Sequence, residues 1–276
     1  MQHNTLLEYK RYRYLKAALL LAGLASVAYL LQRPPTGAYG GTWLGYALGT
    51  ASAVLVVLLL WLGVRKRQYL GPGTMQGWLS AHVYLGMSLV ILATLHTGLQ
   101  FGWNVHTLSY LLLLAVIGNG FYGLYAYLRF PRMMTENLGE DNLDSLLLKI
   151  ADLDELARTN ALQLPDEINQ IVHKASRETR IGGGVIEQLA GRQPNCPTSE
   201  AVRKLHYLGK NLKGAQPKLH RELYSIMLRR EALVARARKD IMLKARLEFW
   251  LYWHIPLSIG LLVTLIAHVT AIFFYW

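Results

Sequence analysis

The sequence predicts an all-α integral membrane bundle of five transmembrane helices with a helical cytoplasmic insert, and three observations predict it. Apolar residues fill 53% of the 276 positions and mean hydropathy is +0.21, too oily for a soluble domain with a solvated surface. Of the 17 acidic residues only Glu8 precedes Glu136, and no charged side chain follows Glu248. An isolated charge at the bilayer centre costs roughly 2.5 kcal/mol or more, so membrane burial accounts for those uncharged stretches. Five segments are each long and apolar enough to span roughly 30 Å of hydrocarbon as a helix.

The five spans run over residues 15–32, 43–64, 77–101, 108–128 and 249–276. The first is the weakest, and a signal peptide is its rival; the long basic region ahead of it and the lack of a small-x-small site favour an uncleaved span. Lys10, Arg11, Arg13 and Lys16 precede span one, Arg65, Lys66 and Arg67 follow span two, and Arg129 and Arg132 follow span four. All three clusters fall on one side, and only Arg33 marks the short loops opposite. The positive-inside rule then places the N-terminus in the cytoplasm and the C-terminus outside, as in a bacterial inner membrane protein. Trp43, Trp103, Trp250, Trp253 and Trp276 sit at span ends, where interfacial anchors belong.

Three regions follow: 1–130 holds transmembrane helices one to four, 131–247 the cytoplasmic helical insert, and 248–276 the fifth span. In the insert Leu143, Leu146, Leu147, Ile150, Leu153 and Leu156 recur at helical spacing. A second helical stretch, 165–180, ends at Gly182, Gly183 and Gly184. Thr198 or Ser199 caps another running to Lys213. From Pro217 to Pro256 no Gly or Pro interrupts the chain, so one long helix is expected to lead into span five. Arg229, Arg230, Arg236, Arg238, Lys239, Lys244 and Arg246 stud it and are expected to meet anionic headgroups and solvent.

The net charge of +12 is a topology signal rather than a nucleic-acid footprint, because the early basic residues cluster at the ends of apolar runs. A single cysteine, Cys196, excludes an intramolecular disulfide, a covalently attached c-type haem and a cluster held by several thiolates of this chain. It reads as an incidental thiol in a turn.

Two histidines, His82 and His96, lie in span three, and two more, His254 and His268, in span five, each pair fourteen residues apart. Fourteen steps make close to four helical turns, so both members face nearly the same way with a rise of about 21 Å between them. Spans three and five cross in the same direction, so His82 meets His254 near the cytoplasmic side and His96 meets His268 near the outer side. A flat macrocycle between two helices needs an imidazole from each face, and neutral imidazole is a good axial ligand for iron. The expected cofactors are two haem b groups, with His82, His254, His96 and His268 as iron ligands. A zinc site, which needs three or four clustered ligands, is not expected from this layout.

Around these four, Gly86, Gly98, Gly102 and Gly260 are expected to let a porphyrin edge approach the backbone, and Gly118, Gly120 and Gly123 to serve helix packing. Arg65, Lys66, Arg67 and Arg132 lie where they can meet the inner haem's propionates. Pro256 frees a carbonyl that a nearby Ser or Thr can satisfy. His106, in the short outer loop, is a candidate quinone or proton site, since its ordinary pKa lies near 6.5. His3, His173, His206 and His220 read as surface residues.

The segments His82-VYLGMSLVILATL-His96 and His254-IPLSIGLLVTLIA-His268 resemble the haem-binding helices of bis-haem transmembrane cytochromes b, both the ferric-reductase-like membrane domains and the b subunits of quinol-oxidising complexes. The resemblance covers spans two to five. It implies electron transfer across the membrane between a quinone or soluble donor and an acceptor on the other side, with redox partner subunits and membrane lipid as partners. No flavin or nicotinamide domain follows span five, so a self-contained reductase is not expected, and Ile181-Gly182-Gly183-Gly184 lacks the context of a dinucleotide loop. The alternative class is a non-redox membrane protein that handles haem or acts as a transport or scaffold subunit.

Overall fold

The computed structural model describes residues 7–32, 34, 37, 39–66, 73–209 and 216–275. His3, Arg33, Arg67, Lys213 and Trp276 lie outside the described residues. Among the described residues the chain is all-α, without a strand. Its helices are α1 (Tyr9–Leu31), α2 (Trp43–Arg65), α3 (Met75–Thr97), α4 (Val105–Leu138), α5 (Leu143–Ala161), α6 (Asp166–Glu178), α7 (Val185–Ala190), α8 (Pro197–Leu208) and α9 (Gln216–Tyr275).

Five of them, α1, α2, α3, α4 and α9, carry stretches long and apolar enough to cross a membrane, the mark of an integral membrane protein. Their large exposed side chains are apolar, among them Leu19, Leu24, Val54, Ile259 and Val263. Such faces are stable against lipid, whose interior offers no partner to a polar backbone group and so demands helices that satisfy their own.

The chain divides into two compact units, Met1–Leu128 with Trp250–Trp276, and Arg129–Phe249. In the first, α3 packs against both α1 and α2. Its core joins Val56, Leu89, Ala93, Leu113 and Leu261 in one cluster and Ala25, Leu44, Leu48 and Leu92 in another. Side-chain caps fix where these helices begin. Thr42 accepts from Gly45 N at 3.0 Å and Thr74 from Gly77 N at 3.1 Å, each satisfying a first-turn donor of α2 or α3. Asn104 Oδ1 accepts from Thr107 N at 2.9 Å and starts α4.

Helix α3 stops at Thr97, short of the expected residue 101. Gly98 takes a left-handed φ of 58° and closes the helix. Helix α4 instead runs past its expected end, through Pro131 to Leu138.

The second unit is a small helical domain. Its core joins Ala157, Ala161, Ile168, Val172, Ala175, Ala201, Leu205, Leu223 and Met227. The buried stripe of α5 is Leu146, Ile150, Ala157 and Ala161; Leu147 and Leu156, expected on that face, are exposed. Small alanines at these positions admit a close neighbour where a leucine would hold it off. The N-cap of α8 is Cys196, with Pro197 in the first turn; Thr198 lies inside the helix and is fully buried. His173 and His206 are exposed, but His220 is buried.

The basic residues of α9 divide: Arg229, Lys239 and Lys244 are exposed, as a solvated face would be, whereas Arg230 and Arg238 are buried and Arg236 and Arg246 half-buried. Arg230 is 2% exposed and grips Asp154 with two hydrogen bonds of 2.6 and 3.2 Å, while also donating to Thr198. Arg236 donates to the Asn137 and Leu138 carbonyl oxygens, Arg238 to that of Arg180, and Arg246 to that of Leu189. Helix C-termini leave carbonyls without intrahelical donors, and these guanidinium groups supply them.

Candidate cofactor site

Helix α3 carries His82 and His96 and α9 carries His254 and His268, all within the first unit. Close to four turns separate the members of each helix, so each presents two rings on one side. The structure brings the rings together in two couples. His82 and His254 have ring centres 6.4 Å apart with planes at 58°, and His96 and His268 have theirs 6.2 Å apart at 69°.

Those separations carry chemical information. Two metal–imidazole bonds of about 2 Å each, plus roughly 1 Å from each nitrogen to its ring centre, set two ligating rings about 6 Å apart. Two rings that held one metal from opposite sides could stand at any angle about the line joining them, so interplanar angles of 58° and 69° are compatible with such a pair.

Each couple is held from outside. His96 Nδ1 donates to the Gly45 carbonyl oxygen at 2.8 Å, which fixes its tautomer and leaves Nε2 with the lone pair. The backbone of α2 and of the turn before it comes close enough to do this because Gly49 in the helix and Gly40 in the turn lack side chains. A Cβ on Gly49 would stand 2.6 Å from His96 Cε1, and one on Gly40 3.3 Å from the same atom. Lys66 lies within electrostatic reach of both His82 and His254.

On α9, Trp250 meets His254 edge-on at 5.1 Å. Its backbone carbonyl accepts from Asn119 Nδ2 at 3.2 Å. Gly123 of α4 makes room for the indole, since a Cβ there would lie 2.7 Å from it, and Gly120 faces His254. Trp250 is half-buried, packed against Gly123 and His254, while Trp43, Trp103 and Trp253 are exposed. Ser258 Oγ donates to the His254 carbonyl oxygen at 2.6 Å, and not to the Tyr252 carbonyl that Pro256 leaves without its helical donor, the acceptor expected from the sequence.

The residues expected around the histidines divide. Arg65 is buried and its guanidinium donates to the Gly73 carbonyl oxygen at 3.1 Å. Arg132 belongs to the second unit and pairs with Glu136 at 2.7 Å on an exposed face. Gly86 and Gly260 meet only a leucine methyl at 3.9 Å, and Gly118 faces open space. Gly98 is a helix cap. The glycines that touch histidine, Gly40, Gly49 and Gly120, are in part ones the sequence reading did not select. For Gly49 the signal is the run of small residues Gly45, Gly49 and Ser52 on α2, which helix packing alone also produces.

His106 is the largest surprise. It sits in the first turn of α4, not free in a loop, with its ring centre 5.0 Å from that of His96 and 4.8 Å from that of His268. Its Nε2 is buried without a hydrogen-bond partner, as are His82 Nδ1 and His254 Nδ1. One ligand atom from each of His96, His106 and His268 falls within 4.8 Å of the others. The layout expected from sequence excluded three clustered ligands, and His106 supplies the third. A legible signal existed: His106, Tyr110 and Leu113 fall on one helical face, with Asn104 placed to cap it.

A cavity of about 370 Å³ opens beside this outer group, lined by α2, α3, α4 and α9. Apart from the three histidines its walls include Tyr46, Ser52, Thr97, Tyr110, Leu113, Leu265 and Phe273, a mostly apolar surface with few polar groups, as ligand sites have. The ring separations fit a metal held between the two imidazoles of each couple, and at the outer couple a flat prosthetic group would also need the His106 ring to move aside. No family model, curated protein or solved structure matches the chain.

Proposed function

We propose that this chain is a dihaem cytochrome b subunit that relays electrons across a membrane. The observation that carries the reading is the pair of ring separations, 6.4 Å for His82 with His254 and 6.2 Å for His96 with His268. Both match the span of an imidazole–metal–imidazole unit, and both come from the same two helices one above the other. Haem held by two histidines supplies reversible one-electron chemistry and has no vacant iron position for substrate.

The chain's own residues do the rest. The Gly45 carbonyl oxygen and the Trp250 indole hold the His96 and His254 rings in orientation, so these ligands would need little reorganisation on electron transfer. The Lys66 ammonium favours added negative charge at the inner couple and so raises the affinity of that centre for an electron. Apolar helix faces exclude water from both couples. The partners this reading calls for are a quinone or soluble donor, an acceptor on the opposite side, and redox subunits that perform the terminal chemistry. By the distribution of basic residues the N-terminus lies in the cytoplasm of a bacterial cell, with His82 and His254 on that side.

The test is a haem count with a reduced-minus-oxidised absorption spectrum of the purified chain. Two b-type haems per chain with low-spin spectra are expected. A chain that purifies without haem from cells replete with it would remove the reading.

A further inference from the structure

The two couples are built differently. The inner one has two histidines and an indole edge; the outer one has three imidazoles. His106 is nearly equidistant from His96 and His268, at 5.0 and 4.8 Å. With those two rings 6.2 Å apart, the triangle puts the His106 ring closer to the midpoint of the couple than to either ring. Near equidistance also puts it close to the plane midway between them. A macrocycle centred on that midpoint would extend through the place His106 takes.

A bare ion makes the opposite demand. Three imidazole nitrogens within 4.8 Å of one another, in a site with an adjoining cavity for a fourth ligand, supply the donor set of a tris-histidine centre. His106 Nε2 is buried and has no other partner, so an ion would relieve a polar atom that otherwise lacks a hydrogen bond. His96 is already oriented for ligation by the Gly45 carbonyl oxygen. The uncharged, nitrogen-only set selects first-row ions that favour imidazole, zinc and copper above all, and disfavours magnesium and calcium, which take oxygen.

We propose that His96, His106 and His268 form a three-histidine site for a single zinc- or copper-class ion, occupied when no macrocycle separates His96 from His268. The two occupants exclude one another because both use His96 and His268. With an ion bound, His106 stays against the couple; with a macrocycle bound, it turns out of the midplane. The inner couple has no third imidazole and takes no bare ion. The site needs only the three rings and does not rest on the haem reading.

The test uses the full chain in detergent, purified from cells limited in haem synthesis, dialysed against Zn2+ and analysed for bound zinc and haem on the same samples. Wild type is expected to hold close to one zinc per haem-free outer site. His106→Ala should weaken zinc binding at least tenfold, and His173→Ala, at an exposed histidine of the second unit, should leave it unchanged. No zinc on the wild type, or equal binding by His106→Ala, overturns the proposal. Should His106→Ala lose helical circular dichroism, the Cu2+-loaded wild type decides alone by electron paramagnetic resonance. Coupling to three imidazole nitrogens supports the site, and coupling to two or fewer overturns it. Added haem separates the readings: zinc bound by chains that take up no added haem removes the electron relay and keeps the ion site, whereas haem-free chains that bind no zinc yet take up added haem do the reverse.

Discussion

His96 of α3 donates its Nδ1 hydrogen to the Gly45 carbonyl oxygen of α2 at 2.8 Å, and this bond sets which nitrogen of the ring is available to a metal. A neutral imidazole has one donor and one acceptor, so committing Nδ1 as donor leaves Nε2 for ligation. The contact exists because α2 presents glycine rather than a side chain along this stretch.

Gly49→Ala is expected to break that arrangement. The new Cβ would stand 2.6 Å from His96 Cε1, and overpacking of this kind costs about 1–3 kcal/mol. Haem analysis should find the outer centre lost or altered in spectrum and the inner one unchanged. An outer centre identical to wild type would mean that Gly49 does not position His96.

The couples predict how single variants divide. His82→Ala and His254→Ala should each remove the same one of two haems, and His96→Ala and His268→Ala the other. Redox titration of each variant distinguishes the survivors by potential. Loss of both centres from every variant would speak against two separate couples.

Arg230 in the second unit is 2% exposed and paired with Asp154. Removing one member of a buried pair strands the other charge, at a cost of about 3–5 kcal/mol. Asp154→Ala should therefore lower the stability of the helical insert by that amount in denaturant unfolding followed by circular dichroism. A change under about 1 kcal/mol, the range of a surface pair, would show that solvent already screens it.

Cys196 is expected to ionise below an ordinary thiol. Burial alone pushes it up, but the Ser199 backbone N–H, the Arg238 guanidinium and the Thr198 backbone N–H together more than offset that. Arg238 stands 3.2 Å from Sγ. A folded value lowered in this way stabilises the fold above the ordinary thiol pKa, and the gain is lost as pH falls through the lowered value. Alkylation rate against pH should rise earlier than for a free thiol, and Arg238→Gln should move the rise upward. A profile indifferent to Arg238→Gln would remove the guanidinium as the cause.

The fold was legible where physics acts along the chain. Charge avoidance and apolar length mark five helices because the bilayer penalises every exception. The fourteen-residue spacing puts two rings on one side of a helix by geometry alone. Legibility stopped where the outcome depends on a neighbour. Leu156 and Ala157 are adjacent, and only the packing of α6 decides that the alanine is buried and the leucine exposed. The arginines of α9 look solvent-bound until the carbonyls of Leu138, Arg180 and Leu189 come within reach. His106 looked like a loop residue because the end of α3 was set too late. Once Gly98 stops that helix, the short connection leaves His106 on the next one, beside the outer couple.

The most direct measurement of the central claim is low-temperature electron paramagnetic resonance of the oxidised wild-type chain. Two ferric haems each clamped by two imidazoles give two low-spin signals, one of which disappears in His82→Ala and the other in His96→Ala. A single signal unaffected by either substitution, or high-spin iron in the intact chain, would contradict the two-couple account.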